Sequence, residues 1–288
     1  MSEMETLYEL SNCEIMRLDI DDEHYYYGAK TGEEKQYYLS VTQVLDIGAP
    51  FPEGLRQYLR VSSYDEQKNL LQMTGDRGKK LHEALDNLMH RQELNLKDNF
   101  KTSYEKDAVV TFIRMMRFLA PSKFGTELVV GDPDLRVAGT LDFRGLVEKW
   151  RLQCLLEPLK YLDIDSEGDL MLKEKWLDLP SKKKIQIIID WKFTGRNTYG
   201  HKLQVAAYKT MSNKTRTGAL ASRAFTWRYS PKHKFGFDFN ESLYDYNSFK
   251  RVYNTTIEYL GEFPEPPVIK RYPAEVRLYE PIKVKEES

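Results

Sequence analysis

Three acids and a lysine stand inside or at the ends of apolar runs that a folded chain would bury. Asp190 and Lys192 close IQIIIDWKF, Asp142 sits in RVAGTLDFRG, and Glu127 sits in FGTELVVGD. In a strand, residues i and i+2 share a face. Asp190 and Lys192 therefore point one way, and Ile187, Ile189 and Trp191 point the other way, into packing. The same alternation puts Thr140, Asp142 and Arg144 on one face and Leu141 and Phe143 on the opposite one. If the two strands are neighbours, Asp142 and Asp190 approach each other, and Glu127 on the strand before adds a third carboxylate. Carboxylates held close in a partly buried site repel and need a counter-charge. Mg²⁺ or Mn²⁺ supplies it through oxygen ligands. Each piece also has a plainer reading. Asp190 and Lys192 make a strand-end ion pair, Asp142 is a polar residue before a turn, and Glu127 depends on its strand register.

The elements that must position these residues follow from periodicity. Residues 23–42 read as a hairpin, two tyrosine-rich runs around Gly-Ala-Lys-Thr-Gly. SVTQVLDIG reads as a strand end entering a short helix, with Ser40 or Thr42 as its cap. Residues 52–73 have helical spacing at Leu55, Tyr58 and Leu59. GDRGKKLHEALDNLMHRQ predicts an amphipathic helix preceded by Gly78, with a stripe of Leu81, Leu85, Leu88 and Met89. His82 and Asp86 lie i, i+4 on its flank, so a helix-face pair accounts for His82 as well as a functional role does. Residues 105–119 predict a second helix through Val109, Phe112, Ile113 and Met116, closed by Pro121.

FGTELVVGD, RVAGTLDFRGLVEK, KIQIIIDWKF, ASRAFTWRYSP and KFGFDFN read as strands, and the third is the most apolar and hence central. Residues 151–184 read as an insertion with its own hairpin, turning near Ser166-Glu167-Gly168. Helices are expected at about 200–212 and over 241–261. The first carries Gln204 and Tyr208 at i, i+4, which ordinary helix packing also explains. The tail from Glu262 holds Pro264, Pro266, Pro267, Pro273 and Pro281 and is expected to be extended. A helix between strands implies a crossover. The expected fold class is therefore α/β (α+β), a mixed central sheet flanked by helices. The expected division is one domain over 1–261, with a hairpin and helices to 121, a core over 122–261 interrupted at 151–184, and a tail over 262–288.

Composition narrows the function. Of 288 residues, 41% are hydrophobic and 12% aromatic, enough for a packed core and against a disordered chain. No apolar run approaches 18 residues, so no transmembrane helix and no membrane partner are expected. The acidic first 25 residues hold no apolar signal segment, and Cys13 and Cys154 are too few for a disulfide framework. An intracellular setting is expected. Formal charge is −1, but residues 181–234 carry thirteen Lys/Arg against a single acid, and residues 1–53 carry three against twelve. Such asymmetry suggests a polyanion partner for one part of the surface, or simply a solvated charged surface.

Taken in order, YLSVTQVL (38–45), GDRGKKLHEAL (75–85), FGTELVV (124–130), VAGTLDF (137–143), IIIDWKFTGRN (187–197) and LQVAAYKTM (203–211) form a set. With these residues the chain resembles the PD-(D/E)XK nucleases, specifically the RecB-like branch that includes mitochondrial genome maintenance and phage exonucleases. The resemblance covers about 38–260 and is broken at 151–184, a long segment between two catalytic strands. It implies a restriction-endonuclease-like core. It implies that Asp142 is a metal ligand, that Asp190 and Lys192 are the Asp-x-Lys pair, that Glu127 is the preceding acid, and that His82 completes the metal site. Gln204 and Tyr208 match a helix that steadies the site and meets DNA.

The expected activity is that of a divalent-metal-dependent DNA nuclease, most of all an exonuclease on single-stranded or end-containing DNA in recombination, repair or replication. Asp142, Asp190, Glu127, His82 and the Trp191 carbonyl would hold Mg²⁺ or Mn²⁺. Lys192 would position water or stabilise developing charge. Arg144, Arg196 and Lys202 would contact phosphates without reading sequence. Another branch binds an iron–sulfur cluster through four cysteines, and two cysteines exclude one here. An endonuclease or nickase on the same core and a DNA-binding module with a relic site are the alternatives. Residues 151–184 would wall a substrate channel, bind a protein partner, or merely decorate the fold.

Overall fold

Alternating and β-branched runs make the strands, and apolar residues three and four apart make the helices. The structure, a computed structural model, describes residues 13–20, 23–50, 64–178 and 180–266. In chain order it contains β1 (Cys13–Ile20), β2 (Glu23–Lys30), β3 (Gln36–Ser40), α1 (Val41–Gly48), α2 (Tyr64–Met89), α3 (Ser103–Leu119), β4 (Lys123–Asp132) and β5 (Val137–Glu148). There follow α4 (Lys149–Leu156), β6 (Leu162–Ile164), β7 (Leu170–Leu172), β8 (Lys184–Lys192), α5 (Tyr199–Thr215), β9 (Arg223–Tyr229), β10 (Phe237–Glu241) and α6 (Tyr246–Leu260). Among the described residues no helix is long and apolar enough to cross a membrane.

The strands other than β6 and β7 form one mixed sheet in the order β1-β2-β3-β5-β8-β9-β10, with β4 along β5. The β3–β5 and β8–β9 pairs are parallel, and α5 makes the crossover between the latter two. Helices cover both faces. Leu81 and Leu85 of α2, Phe112 and Met115 of α3, and Leu152 of α4 pack on Ile187, Ile189, Trp191, Phe225 and Trp227. On the other face Val44 of α1, Leu203 and Met211 of α5, and Phe249 of α6 pack on Leu141, Ile188 and Ala224. A strand buried on both faces reads as a continuous apolar run, which is why IQIIIDW carries so little polarity and why β8 is central, as expected.

β5 is where the sheet forks. β4 lines one edge of it, from Val137 to Leu146. The other edge is divided: β3 pairs with Val137 and Ala138, and β8 pairs with Phe143 to Glu148. Between these two neighbours, residues 139–142 have no ladder partner on that edge. On the β4 side, the ladder also drops out at Glu127 opposite Asp142, although Thr126–Phe143 and Leu128–Leu141 keep one register on either side. Glu127 has a φ of 48°, a left-handed conformation uncommon for a residue with a side chain. Ladder pairing is thus interrupted here on both edges of β5.

That break corrects one expectation. Leu141 and Phe143 do not share a face: Leu141 packs with α5 and Phe143 with α2 and α3. Thr140, Asp142 and Arg144 likewise do not line up, because Arg144 bonds to α5 while Asp142 approaches α2. Strict alternation fails where the ladder is interrupted. Gly78 does not precede a helix either. It lies inside α2, which begins at Tyr64 and runs through Gly75 as well. Leu55, Tyr58 and Leu59 lie outside the described residues. The 23–42 hairpin is present, with Tyr26 opposite Tyr38, and Ser40 caps α1 through a capping box with Gln43. The 151–184 segment does carry a hairpin, β6–β7, and Gly168 takes a φ of 86° in its turn. The segment is not wholly an addition, since Leu152, Cys154, Leu155, Tyr161 and Leu162 belong to the core.

Candidate metal centre and its cleft

The fork in the sheet gathers the charged residues. His82 of α2 faces the sheet because its neighbours Leu81 and Leu85 are fully buried there. Its ring lies 5.3 Å from Phe193 at 84° and 6.0 Å from Trp191, two aromatic walls that fix its tilt. His82 Nδ1 stands 3.4 Å from Asp142 Oδ1. The other oxygen, Asp142 Oδ2, accepts the backbone N–H of Trp191 at 2.5 Å. A side chain thus takes the place of the missing ladder bond between β5 and β8. Glu127 completes the group: one ligand atom each from His82, Glu127 and Asp142 lie within 4.8 Å of one another. Two carboxylates and one imidazole at this spacing are a donor set that suits a hard or borderline divalent cation such as Mg²⁺ or Mn²⁺.

Asp190 is almost fully buried and pairs with Lys192, Oδ2 to Nζ, at 2.7 Å. Burial pushes its carboxyl up to about 6, Lys192 opposes this, and the Asp142 charge adds to it. Asp190 and Asp142 therefore act on one electrostatic pocket, although Asp190 is held by Lys192 and lies outside the three-residue cluster. Asp142 titrates below the usual carboxylate range: burial opposes ionisation, but His82, Lys192 and the Trp191 N–H together outweigh it. Glu127 moves the other way, pushed up to about 7 by burial first and by Asp142 second. The divergent pair is the electrostatic mark of two acids competing for one site. His82 is raised: burial is the largest single effect and lowers it, but the Asp142 charge, its hydrogen bond to Asp142 and the Asp190 charge together outweigh that.

A cleft of about 640 Å³ opens beside this centre. Thr42, Leu45, Asp46, Ala49 and Pro50 from α1 and its end form one wall. Lys192, Thr194, Gly195, Arg196, Thr198, Gly200, His201 and Gln204 form the other. Lys192 belongs both to the cleft and to the Asp190 pair, so it joins the cavity to the acids.

The other expected residues fall as follows. Gln204 and Tyr208 are buried one turn apart and joined, Nε2 to hydroxyl, at 3.1 Å. Gln204 reaches the cleft, and the Tyr208 ring lies against Gly139 in the fork. Arg196 is exposed and lines the cleft, whereas Lys202, on the same first turn of α5 as His201, is not among its lining residues. Trp191 meets the site through its N–H. Arg144 is a correction. It is fully buried between β5 and α5, donating to Ser212 Oγ at 2.9 Å and to the Ala219 carbonyl at 2.8 Å. It holds the chain after α5 to the sheet and has no surface to offer a phosphate.

Two residues of the site carry no obvious mark in the sequence. His201 caps α5 reciprocally with Thr198: Thr198 Oγ1 accepts from the His201 N–H, and His201 Nδ1 accepts from the Thr198 N–H. Burial, then Lys192 and Arg228, press its imidazole down to about 3, so it stays neutral. The Thr-x-x-His spacing is a capping box with histidine in the place of Glu or Gln. Arg17 of β1 reaches Glu127 Oε2 at 3.2 Å and Thr140 Oγ1 at 3.1 Å. Nothing in CEIMRLDI, an acidic and irregular run, announces that role. Comparison with protein-family models and with curated proteins finds no match for this chain.

Proposed function

We propose that the protein is a divalent-metal-dependent DNA phosphodiester hydrolase of the PD-(D/E)XK, RecB-like kind, acting on DNA ends. One observation carries this reading: His82, Glu127 and Asp142 converge within 4.8 Å at a break in the sheet, next to a buried Asp190–Lys192 pair that opens into a cleft. An ion pair with no function would not need three further ligand-type side chains from α2, β4 and β5 beside it. In this reading His82, Glu127 and Asp142 hold Mg²⁺ or Mn²⁺, with Asp190 at the edge of the same charge pocket. When bound, the cation supplies Lewis-acid activation of water and of a phosphoryl oxygen.

The chain's own residues do the remainder. The Trp191 N–H and His82 fix both oxygens of Asp142, so its orientation is set before any ligand arrives. Asp190 holds the Lys192 ammonium at the cleft mouth, where it would meet the charge that develops on a phosphate under attack. Arg196 on the cleft wall would grip the backbone of the strand without reading bases.

The test is digestion of end-labelled single- and double-stranded oligonucleotides, and of circular DNA, with Mg²⁺, Mn²⁺ or EDTA. Metal-dependent release of end nucleotides is expected, with circles spared. Asp190→Asn and Lys192→Ala should abolish cleavage while DNA binding persists. Cleavage that survives EDTA, or is undiminished in either variant, overturns the reading.

A further inference from the structure

We propose that Arg17 is a positioning residue that holds Glu127 in ligating orientation, an inference that rests on the metal reading above. Glu127 is the least constrained of the three ligands. Its side chain is about one-third exposed, against one-tenth for Asp142, and Asp142 has a backbone N–H and His82 to fix it. The left-handed backbone at Glu127 drops it from the ladder, and the neighbouring Asp142 carboxylate repels it. Left to itself it would turn toward solvent.

Arg17 comes from a strand 110 residues away and prevents this. Its Nη1 donates to Glu127 Oε2 at 3.2 Å and to Thr140 Oγ1 at 3.1 Å, and its Nε lies 3.1 Å from Asp19. Thr140 is held in turn by the Tyr26 hydroxyl at 3.0 Å. The guanidinium is therefore fixed on three sides, and its planar fork presents a fixed direction to the carboxylate. With Oε2 engaged, Oε1 remains to ligate. Partners behind metal ligands commonly act this way, orienting the ligand rather than touching the ion. A competing effect has the opposite sign: a guanidinium near a cation site repels the cation. Orientation and repulsion thus predict opposite outcomes for removing Arg17.

The experiment measures Mn²⁺ affinity by calorimetry in wild-type protein, Arg17→Met, Arg17→Lys, Glu127→Gln and the Arg17→Met/Glu127→Gln double variant, with circular dichroism and melting to establish folding. Arg17→Met should weaken Mn²⁺ binding by about ten- to a hundredfold. Arg17→Lys, which keeps stem and charge but not the fork, should lose less. In the Glu127→Gln background the same Arg17→Met change should alter affinity by less than about twofold, because its effect passes through Glu127. Unchanged or tighter Mn²⁺ binding in folded Arg17→Met and Arg17→Lys overturns the proposal, as does an equal loss in the Glu127→Gln background. Absence of Mn²⁺ binding by the wild-type protein overturns the metal reading and this inference with it, whereas wild-type binding with no Arg17 effect overturns this inference alone.

Discussion

Asp142 concentrates the chemistry of the site in one carboxylate, since one oxygen takes a backbone N–H and the other faces His82. Asp142→Asn keeps the shape but presents a neutral amide, and we expect it to lose Mn²⁺ binding in calorimetry and cleavage together. Glu127 sets the pH dependence. Its carboxyl, pushed up to about 7 chiefly by burial and by Asp142, cannot ligate while protonated. Below that pH the cation must displace a proton from Glu127, and it must also displace one from His82 for as long as the imidazole, raised beside Asp142, stays charged. Mn²⁺ affinity should therefore rise with pH through about 7 and level off once His82 has also lost its proton, with proton release visible as a binding heat that depends on the ionisation enthalpy of the buffer. A pH-independent affinity contradicts this assignment. Arg144 gives a prediction of the opposite kind. Arg144→Met takes its donor from the buried Ser212 hydroxyl, a cost of about 1–3 kcal/mol, while the Ser212 carbonyl keeps the Arg216 N–H. Its urea midpoint should fall while the salt dependence of DNA binding stays unchanged. The acids and Lys192 were legible as types inside or at the ends of apolar runs. The burial of Arg144 was not, because strict alternation predicts its face only where the ladder is unbroken.

At the scale of elements, the strands and their crossover were legible because both faces of the sheet are covered, so apolar runs stand out from their surroundings. IQIIIDW and AFTWRY each become strands with side chains in both cores. Three features were hidden for physical reasons. β1 alternates Cys13, Ile15 and Arg17 inward against Glu14, Met16 and Leu18 outward, which mixes apolar and charged residues on both faces. α2 runs through Gly75 and Gly78 because nothing crowds either residue, so each costs only about 1 kcal/mol of helix propensity. The fork in β5 depends on neighbours distant in sequence. Gly139 marks that fork: a Cβ there would meet Tyr208 Cε1 at 2.6 Å. We expect Gly139→Ala to destabilise by about 1–3 kcal/mol and to displace Tyr208 from Gln204. Gly195→Ala, with open space around it, should stay within about 0.5 kcal/mol. Equal urea midpoints for the two variants would show that Tyr208 does not need the space at Gly139.

For the molecule as a whole, the segment 151–184 divides into an anchor and a tip, and the two should respond differently to removal. Leu152, Cys154 and Leu155 of α4, with Tyr161 and Leu162 after it, are almost fully buried against α3 and the sheet. Deleting the segment entire would empty that part of the core. Each large-to-small loss there costs about 2–5 kcal/mol, and five together exceed the stability of an ordinary domain. Such a deletion is expected to unfold the protein and so cannot report on activity. The tip is different. Asp165 to Asp169 turn the hairpin in solvent, tied back by Arg117–Asp169 at 3.1 Å and, nearby, by Lys234–Asp163 at 3.1 Å. Exposed pairs of this kind contribute about 0–1 kcal/mol. Replacing Asp165–Asp169 by Asn-Gly, a two-residue hairpin turn, should leave the melting curve nearly unchanged. Among the described residues none that lines the cleft comes from this segment, so metal-dependent cleavage per folded molecule should also be retained. A folded tip variant with diminished cleavage of long DNA but normal cleavage of short oligonucleotides would instead place the hairpin on the path of the substrate beyond the cleft.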